Sequence, residues 1–401
     1  DTVYAAYGIS KNGIHPELIF GRNKFLIDIP SFTIKDLVIS DLTSSYRFRL
    51  NEESGQFARD DRRRIKGRVD NPVWVSENSR KWQMVFETRS NEFLCAGYDG
   101  ISHEIRAFCR DSLTTYNLQT RRRRSMRFRN HCPVALTLGT NFMNPETGDI
   151  YAYEVRYDKD WKGPVTMARL DTAHLVWYPV SEQNLDMQMH HHCEWLDTLN
   201  GEFYIFGGFG DRRYNGSFTR FNLERREWSA CPEPSGDRIW PRYFSAMGYN
   251  PEENALYIYG GMGNESGEQI VGRQYFHDLH KVQLPDFTIE KKWSLDSPSE
   301  GNTVAARNMV LDGEDHFYVL CYPESETESE LQLTRFAISD GSREELGNTI
   351  PIFSDKITTN ANLFLDETLG KLIAIVEESR DDISSSIKCY SIDFPPKPPL
   401  K

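Results

Sequence analysis

Long apolar runs are missing from this 401-residue chain: nothing approaches the ~20 consecutive apolar residues of a membrane-spanning helix. Cysteine is sparse and unpatterned. Cys95, Cys109, Cys132, Cys193, Cys231, Cys321 and Cys389 are odd in number and lack CxxC or zinc-finger spacing, which points to no disulfide framework or structural zinc site. Most lie in apolar strand-like runs, as small buried hydrophobes do. Basic charge is in deficit, with 47 Lys and Arg against 59 Asp and Glu for a net −12. Such a balance repels phosphate backbones and disfavours generic nucleic-acid binding. There is no phosphate-binding glycine loop and no serine-nucleophile elbow, and the dispersed carboxylates define no acid–base pair. No cofactor is expected.

What the chain does have is aromatic residues and turn formers: 23 Phe, 19 Tyr, 8 Trp, 27 Gly and 19 Pro, a composition suited to many short strands. These fall into a repeat. Phe203-Tyr-Ile-Phe-Gly207-Gly208 and Leu256-Tyr-Ile-Tyr-Gly260-Gly261 are aromatic and β-branched runs closed by a double glycine. Looser copies begin at Glu104, Ile150, Phe317 and Leu372, a period of about 50 residues. After each comes an alternating polar and apolar segment: 114–118, 167–171, 219–223, 280–284, 334–338 and 388–392. That period-2 pattern marks a strand. Tryptophans follow in several copies (Trp177, Trp228, Trp293), and a further apolar run precedes the glycine position, as at 243–249, 305–311 and 360–365.

Four strands in each of six units predict an all-β, six-bladed β-propeller, in which stacked blades bury faces that one sheet cannot bury alone. The tryptophans are expected to fill the space between blades. The last unit is one strand short, and the segment 64–75 is predicted to close the ring there, giving a propeller over 64–395. Residues 1–60 read as a short β appendage with strands at 18–21, 25–29 and 32–39, the remnant of a larger domain or a segment packed on the propeller. Residues 395–401 read as a proline-rich linker. The start at Asp1 without Met and the proline-rich end lead to the expectation of a trimmed piece of a membrane-tethered parent.

The glycine pairs and the downstream Trp228 and Trp293 resemble the kelch-repeat, galactose-oxidase-like β-propellers. The resemblance covers about 80–395 and is strongest in units three and four. More narrowly, 28–39, Asn71-Pro-Val-Trp-Val75 and the Phe-Pro-Pro end are similar to kelch ectodomains of Bacteroidetes surface and sensor proteins, where a laminin-G-like jelly roll can precede the propeller. That likeness implies an exported protein, periplasmic or at the cell surface.

His190-His191-His192-Cys193-Glu194 is the candidate metal motif. On a strand, His190 and His192 share one face, although a structural role is the stronger expectation. Galactose oxidase chemistry needs a Tyr–Cys cross-link and copper ligands that no residue pattern here identifies. Arg121–Arg124 with Arg127 and Arg129 reads as an outer strand with a solvated face, or a site for an anionic partner. Ile101-Ser-His103 resembles a kinase phosphoacceptor box only by chance. Asn215-Gly-Ser217 and Asn264-Glu-Ser266 fit the glycosylation sequon. Propeller geometry sends His131, His192, Arg242, Arg307 and Asn360 to the channel mouth, with Trp240, Tyr243 and Tyr214 as a stacking platform for a sugar or peptide. The expected function is a non-enzymatic module binding a glycan, peptide or protein. The alternatives are a carbohydrate-active enzyme or copper oxidase, and an intracellular scaffold.

Overall fold

The computed structural model describes residues 78–155, 163–295, 301–313, 315–355, 359–379 and 384–399, with 37–40, 43–50, 55–60, 66–69 and a few single positions before them. The chain divides into Asp1–Glu77 and Asn78–Lys401. In the first unit, Leu37–Ser40 pairs with Ser45–Phe48 and Phe57–Arg59 pairs with Lys66–Arg68, both antiparallel. The expected strands at 18–21 and 25–29, half of the one at 32–39, and Asn71–Val75 lie outside the described residues.

The second unit is all-β, with one 3-10 turn at Gln269–Val271 and no α-helix among the described residues. Its first sheet runs Cys95–Asp99, Glu104–Phe108, Ser112–Asn117, Arg123–Arg127. The second is Asn141–Met143, Ile150–Tyr153, Met167–Asp171, Val176–Ser181. The third is Cys193–Asp197, Glu202–Phe206, Phe218–Asn222, Glu227–Ala230. A nine-stranded sheet then holds two four-stranded meanders. One is Ala246–Asn250, Ala255–Tyr259, Asp278–Gln283, Thr288–Ser294. The other is Thr303–Asp312, His316–Pro323, Glu328–Ala337, Arg343–Phe353. The last sheet is Asn360–Asp366, Lys371–Glu378, Ser385–Asp393 and Gln83–Ser90.

Two expectations need correction. Six separate sheets were anticipated, but hydrogen bonding gives five large ones, because the parallel bridge Met247↔Asn308 fuses the two meanders. The ring is closed by Gln83–Ser90 on Ser385–Asp393, not by 64–75, whose described strand Lys66–Arg68 pairs with Phe57–Arg59 instead. The closing strand needs apolar residues on its inner face, and Phe86 supplies one, joining Ile373, Ile375, Ile387 and Cys389 in the core shared with the first sheet.

The period-2 rule explains why the second strands are so apolar. Phe203 and Ile205 face the core shared with the second sheet, while Tyr204 and Phe206 face the core shared with Leu256 and Ile258. Each such ring stabilises the fold by roughly 1.5–3 kcal/mol of burial. Trp177 packs edge-on to Phe128 and beside Phe108, and Trp228 packs on Phe221 and reaches back to Tyr153. Trp293 instead reaches forward to Phe317 and Phe336. The tryptophans do fill the layers between meanders, though not all in the same direction.

The glycine pairs are required by the backbone. Gly207 and Gly208 sit at φ +76° and +101°, where only glycine is unstrained. The Gly208 N–H donates to the Arg242 carbonyl at 2.8 Å. A Cβ on Gly208 would lie 2.8 Å from Met189 backbone atoms. Gly208→Ala is therefore expected to cost about 2–4 kcal/mol, read as a lower urea midpoint. A midpoint equal to the parent's would show the turn to be tolerant.

Both sequon asparagines are buried. The Asn215 amide donates to the Gly207 carbonyl at 3.2 Å, and that of Asn264 to the Glu268 and Gly272 carbonyls at 2.8 and 2.6 Å. They hold turns in the folded chain.

Candidate functional site

Segments leading into the first strands, with the end of the second strand His316–Pro323, surround a cavity of about 200 Å³ lined by His190, His191, Tyr243, Phe244, Tyr322 and Glu324, with Ser354, Asp355 and Thr359. With Phe203, Leu256 and Phe317 equivalent by their pairing to the third strands, Cys321-Tyr322 stands where Gly207-Gly208 and Gly260-Gly261 stand in their own meanders, and the strand continues to Pro323. Tyr243 is the centre of an aromatic wall, 5.6 Å from Tyr214 in a stacked pair, 5.3 Å from Phe209 and 4.7 Å from Phe244. Burial pushes the Tyr243 phenol well up, so it stays a neutral hydroxyl. Glu324 accepts from the Tyr275 hydroxyl at 3.1 Å and lies 3.5 Å from Arg273. Asp355 is exposed.

The histidine motif is arranged otherwise than strand alternation predicts. His191 has φ +55°, and the strand begins only at Cys193. The kink brings the Nδ1 atoms of His190 and His191 within 2.8 Å of each other and turns His192 away, correcting the expected His190/His192 face. Desolvation holds His191 well below the ordinary imidazole range, reinforced by His190 and Arg307, so its ring is neutral. Among the described residues no group of three or more His, Cys, Asp or Glu has metal-binding geometry.

A small cavity of about 10 Å³ adjoins the basin, sharing His191, Phe244 and Tyr322 with it and lined also by His192, Ala305, Arg307 and Asn360. It has room for about one water, and these side chains form a tightly packed polar plug. His192 donates from Nδ1 to the Met189 carbonyl at 2.7 Å; its Nε2 faces the Tyr153 hydroxyl at 2.7 Å and Glu194 at 3.3 Å. Tyr153 also donates to Glu194. Arg307 Nη1 lies 4.0 Å from Glu194, while its Nε and Nη2 are buried without hydrogen-bond partners. The two carboxyls of this plug are driven apart. Burial raises the Glu194 carboxyl, but Arg307, His192 and Tyr153 outweigh it and hold the group below its usual range. Burial pushes Glu377 well up, with Arg307 opposing only in part. A second opening of about 170 Å³ lies among Tyr98, Asn141, Glu194, Trp195, Asn308 and Phe364, so Glu194 lines it as well as meeting His192 and Arg307.

The eight anticipated residues therefore separate. His192, Arg307 and Asn360 meet in the plug, and Asn360 donates to the Leu138 carbonyl at 3.3 Å. Tyr243 lines the basin, backed by Tyr214. His131 does not reach the mouth: it is exposed and paired with Asp111 at 2.5 Å. Arg242 is buried in a bidentate pair with Asp278 at 2.5 and 3.1 Å, and stacks over Phe276 at 4.2 Å. Trp240 packs edge-on to Phe276 and is absent from the basin lining. Sequence reading missed Tyr322, Glu324 and Asp355. Aligning the repeats would have pointed to Tyr322, which stands in the column of the second glycine.

No protein-family model matches the chain. A stretch of 137 residues, 31% of this chain, is 28% identical to "Kelch domain-containing protein 3" of Rattus norvegicus, and equally to that of Mus musculus. The match covers 32% of those relatives' length. With the antiparallel four-stranded meanders and the glycine-pair turns already described, this likeness makes the chain a kelch-type β-propeller.

Proposed function

We propose that the chain is a non-enzymatic protein-interaction module whose partner seats a side chain in the aromatic basin. The observation that carries this reading is the aromatic wall of the basin, Tyr243 packed against Tyr214, Phe209 and Phe244 beside the His190–His191 pair, a stacking surface of the kind that interfaces use, with Glu324 already engaged by Tyr275 and Arg273. Kelch likeness supports interaction over catalysis. Six blades are the ring count we favour, because two separate apolar layers flank the Ala255–Tyr259 strand and one bridge alone joins the two meanders.

The lining chemistry narrows the partner. Neutral His191, the faces of Tyr243, Phe244 and Tyr322, and the carboxylates Glu324 and Asp355 suit a cationic side chain. A random-peptide library panned on the chain is expected to enrich Lys- or Arg-bearing sequences. Their affinity should fall about tenfold on Tyr243→Ala and about threefold on Asp355→Asn. Binders indifferent to both substitutions would overturn the assignment. The extracytoplasmic bacterial setting is a second proposal, resting on the narrower ectodomain resemblance and tested by fractionating cells that express the parent protein.

A further inference from the structure

We propose that the outermost strand of the first sheet, Arg123–Arg127, is a docking edge for an extended segment of consecutive Asp and Glu residues, which adds to the sheet as a further strand. The strand ends its sheet. Its hydrogen-bond phase is fixed at both ends, by Asn117 N–H to the Arg122 carbonyl at 3.0 Å and Phe128 N–H to the Asp111 carbonyl at 2.9 Å. In an antiparallel ladder bonded and unbonded pairs alternate. With the register Thr115↔Arg124 and Leu113↔Met126, the even-numbered residues point their main chain inward. Arg123, Ser125 and Arg127 therefore direct N–H and C=O groups to the open edge, and no described residue meets them.

The side chains flanking that edge are of one sign. Arg121, Arg122, Arg124, Arg127 and Arg129 are all exposed, and among the described residues none has a side-chain hydrogen bond or ion pair. Arg123 alone is engaged, reaching the Glu87 carbonyl and the Thr88 hydroxyl and lying 5.3 Å from the Phe86 ring. In a chain of net charge −12, five unneutralised guanidiniums within nine residues are a concentrated exception. They lie on both faces of the strand. Arg127 shares the side of Arg123 and Tyr116, toward Phe86, while Arg124 shares the side of Met126, which packs in the core with the second sheet. An added strand also sends successive side chains to opposite faces, so carboxylates at consecutive positions meet guanidiniums on both sides. Main-chain bonds would supply affinity and the acidic pattern selectivity. The edge spans about 14 Å, room for five or six residues.

The test uses the full chain and fluorescein-labelled octaglutamate at low salt, read by anisotropy. Binding is expected. It should weaken about tenfold when Arg122, Arg124 and Arg127 are all serine, with the thermal midpoint unchanged. It should weaken comparably for octaglutamate N-methylated at alternate residues, and for Ser125→Pro, which removes an outward N–H and keeps every arginine. Hydrogen exchange should slow at Arg123, Ser125 and Arg127. Absence of binding overturns the proposal. So does equal binding of the N-methylated peptide, or of inorganic polyphosphate to the Ser125→Pro variant and parent as tightly as octaglutamate binds the parent, since charge alone would then suffice.

Discussion

Methionine in place of Arg242 is expected to lower the free energy of unfolding by about 3–5 kcal/mol, because it takes from the buried Asp278 its bidentate partner and leaves only His280, 3.8 Å away, and the more distant Lys291. The guanidinium also donates to the Trp240 and Gly260 carbonyls, each at 3.0 Å, so the substitution strands two acceptors as well. The pH dependence carries a further sign. Burial alone would raise the Asp278 carboxyl, and Arg242 reverses this to hold it below its usual range. The pair's contribution in the parent is therefore present above the unfolded carboxyl value of about 3.9 and is lost only as pH falls through the lower folded value. In the variant burial is opposed only by the weaker pull of His280 and Lys291, the carboxyl moves up, and stability declines as pH rises. The gap between parent and variant should be widest near neutrality and narrow toward pH ~5. Urea titrations at several pH values measure it. A gap under about 1 kcal/mol at neutral pH would show that the pair is not holding this interface.

Glu194→Gln and Glu377→Gln are expected to act with opposite sign, although both carboxyls belong to one plug. Removing the Glu194 charge leaves Arg307 with its Nε and Nη2 already unpartnered and without its nearest carboxylate, at a cost of about 3–5 kcal/mol. In the parent, the Glu194 contribution is present above the unfolded value of about 4.3 and is lost as pH drops through the depressed folded value. Glu377 runs the other way. Its folded carboxyl titrates higher than in the unfolded chain, so the parent loses stability as pH rises above about 4.3. A glutamine there imitates the protonated acid, and the variant should match or exceed the parent at neutral pH while flattening that decline. Equal losses from both substitutions would contradict the division of charge within the plug.

The repeat was legible in the sequence because buried second strands concentrate aromatic and β-branched residues that no loop tolerates, and because the third strands alternate cleanly. The closing strand was not. Gln83–Ser90 carries only Phe86 as a fully buried apolar side chain, whereas Val73-Trp-Val75 looks more strand-like by composition alone. The sheet count depended on one backbone bridge, which no side-chain pattern encodes. In the candidate site, Tyr243 was found as an aromatic residue on a loop beside the mouth. Arg242, its neighbour, was misplaced because adjacent residues on a strand face opposite ways, and Asp278, which holds it, comes 36 residues later. The positive φ at His191 broke an alternation that the histidine motif otherwise suggested.

Ring closure has a consequence for synthesis. The strand that seals the circle leaves the ribosome roughly 300 residues before the partner it must find, and although loop entropy grows only logarithmically with that separation, the delay is one of time. Until Ser385–Asp393 emerges, the nascent protein exposes Phe86 at one seam and Ile373 and Ile375 at the other. A chaperone acting on this chain therefore has most to protect until that strand is made, and Ser385–Asp393 decides whether the earlier meanders become a ring or stay an open fan.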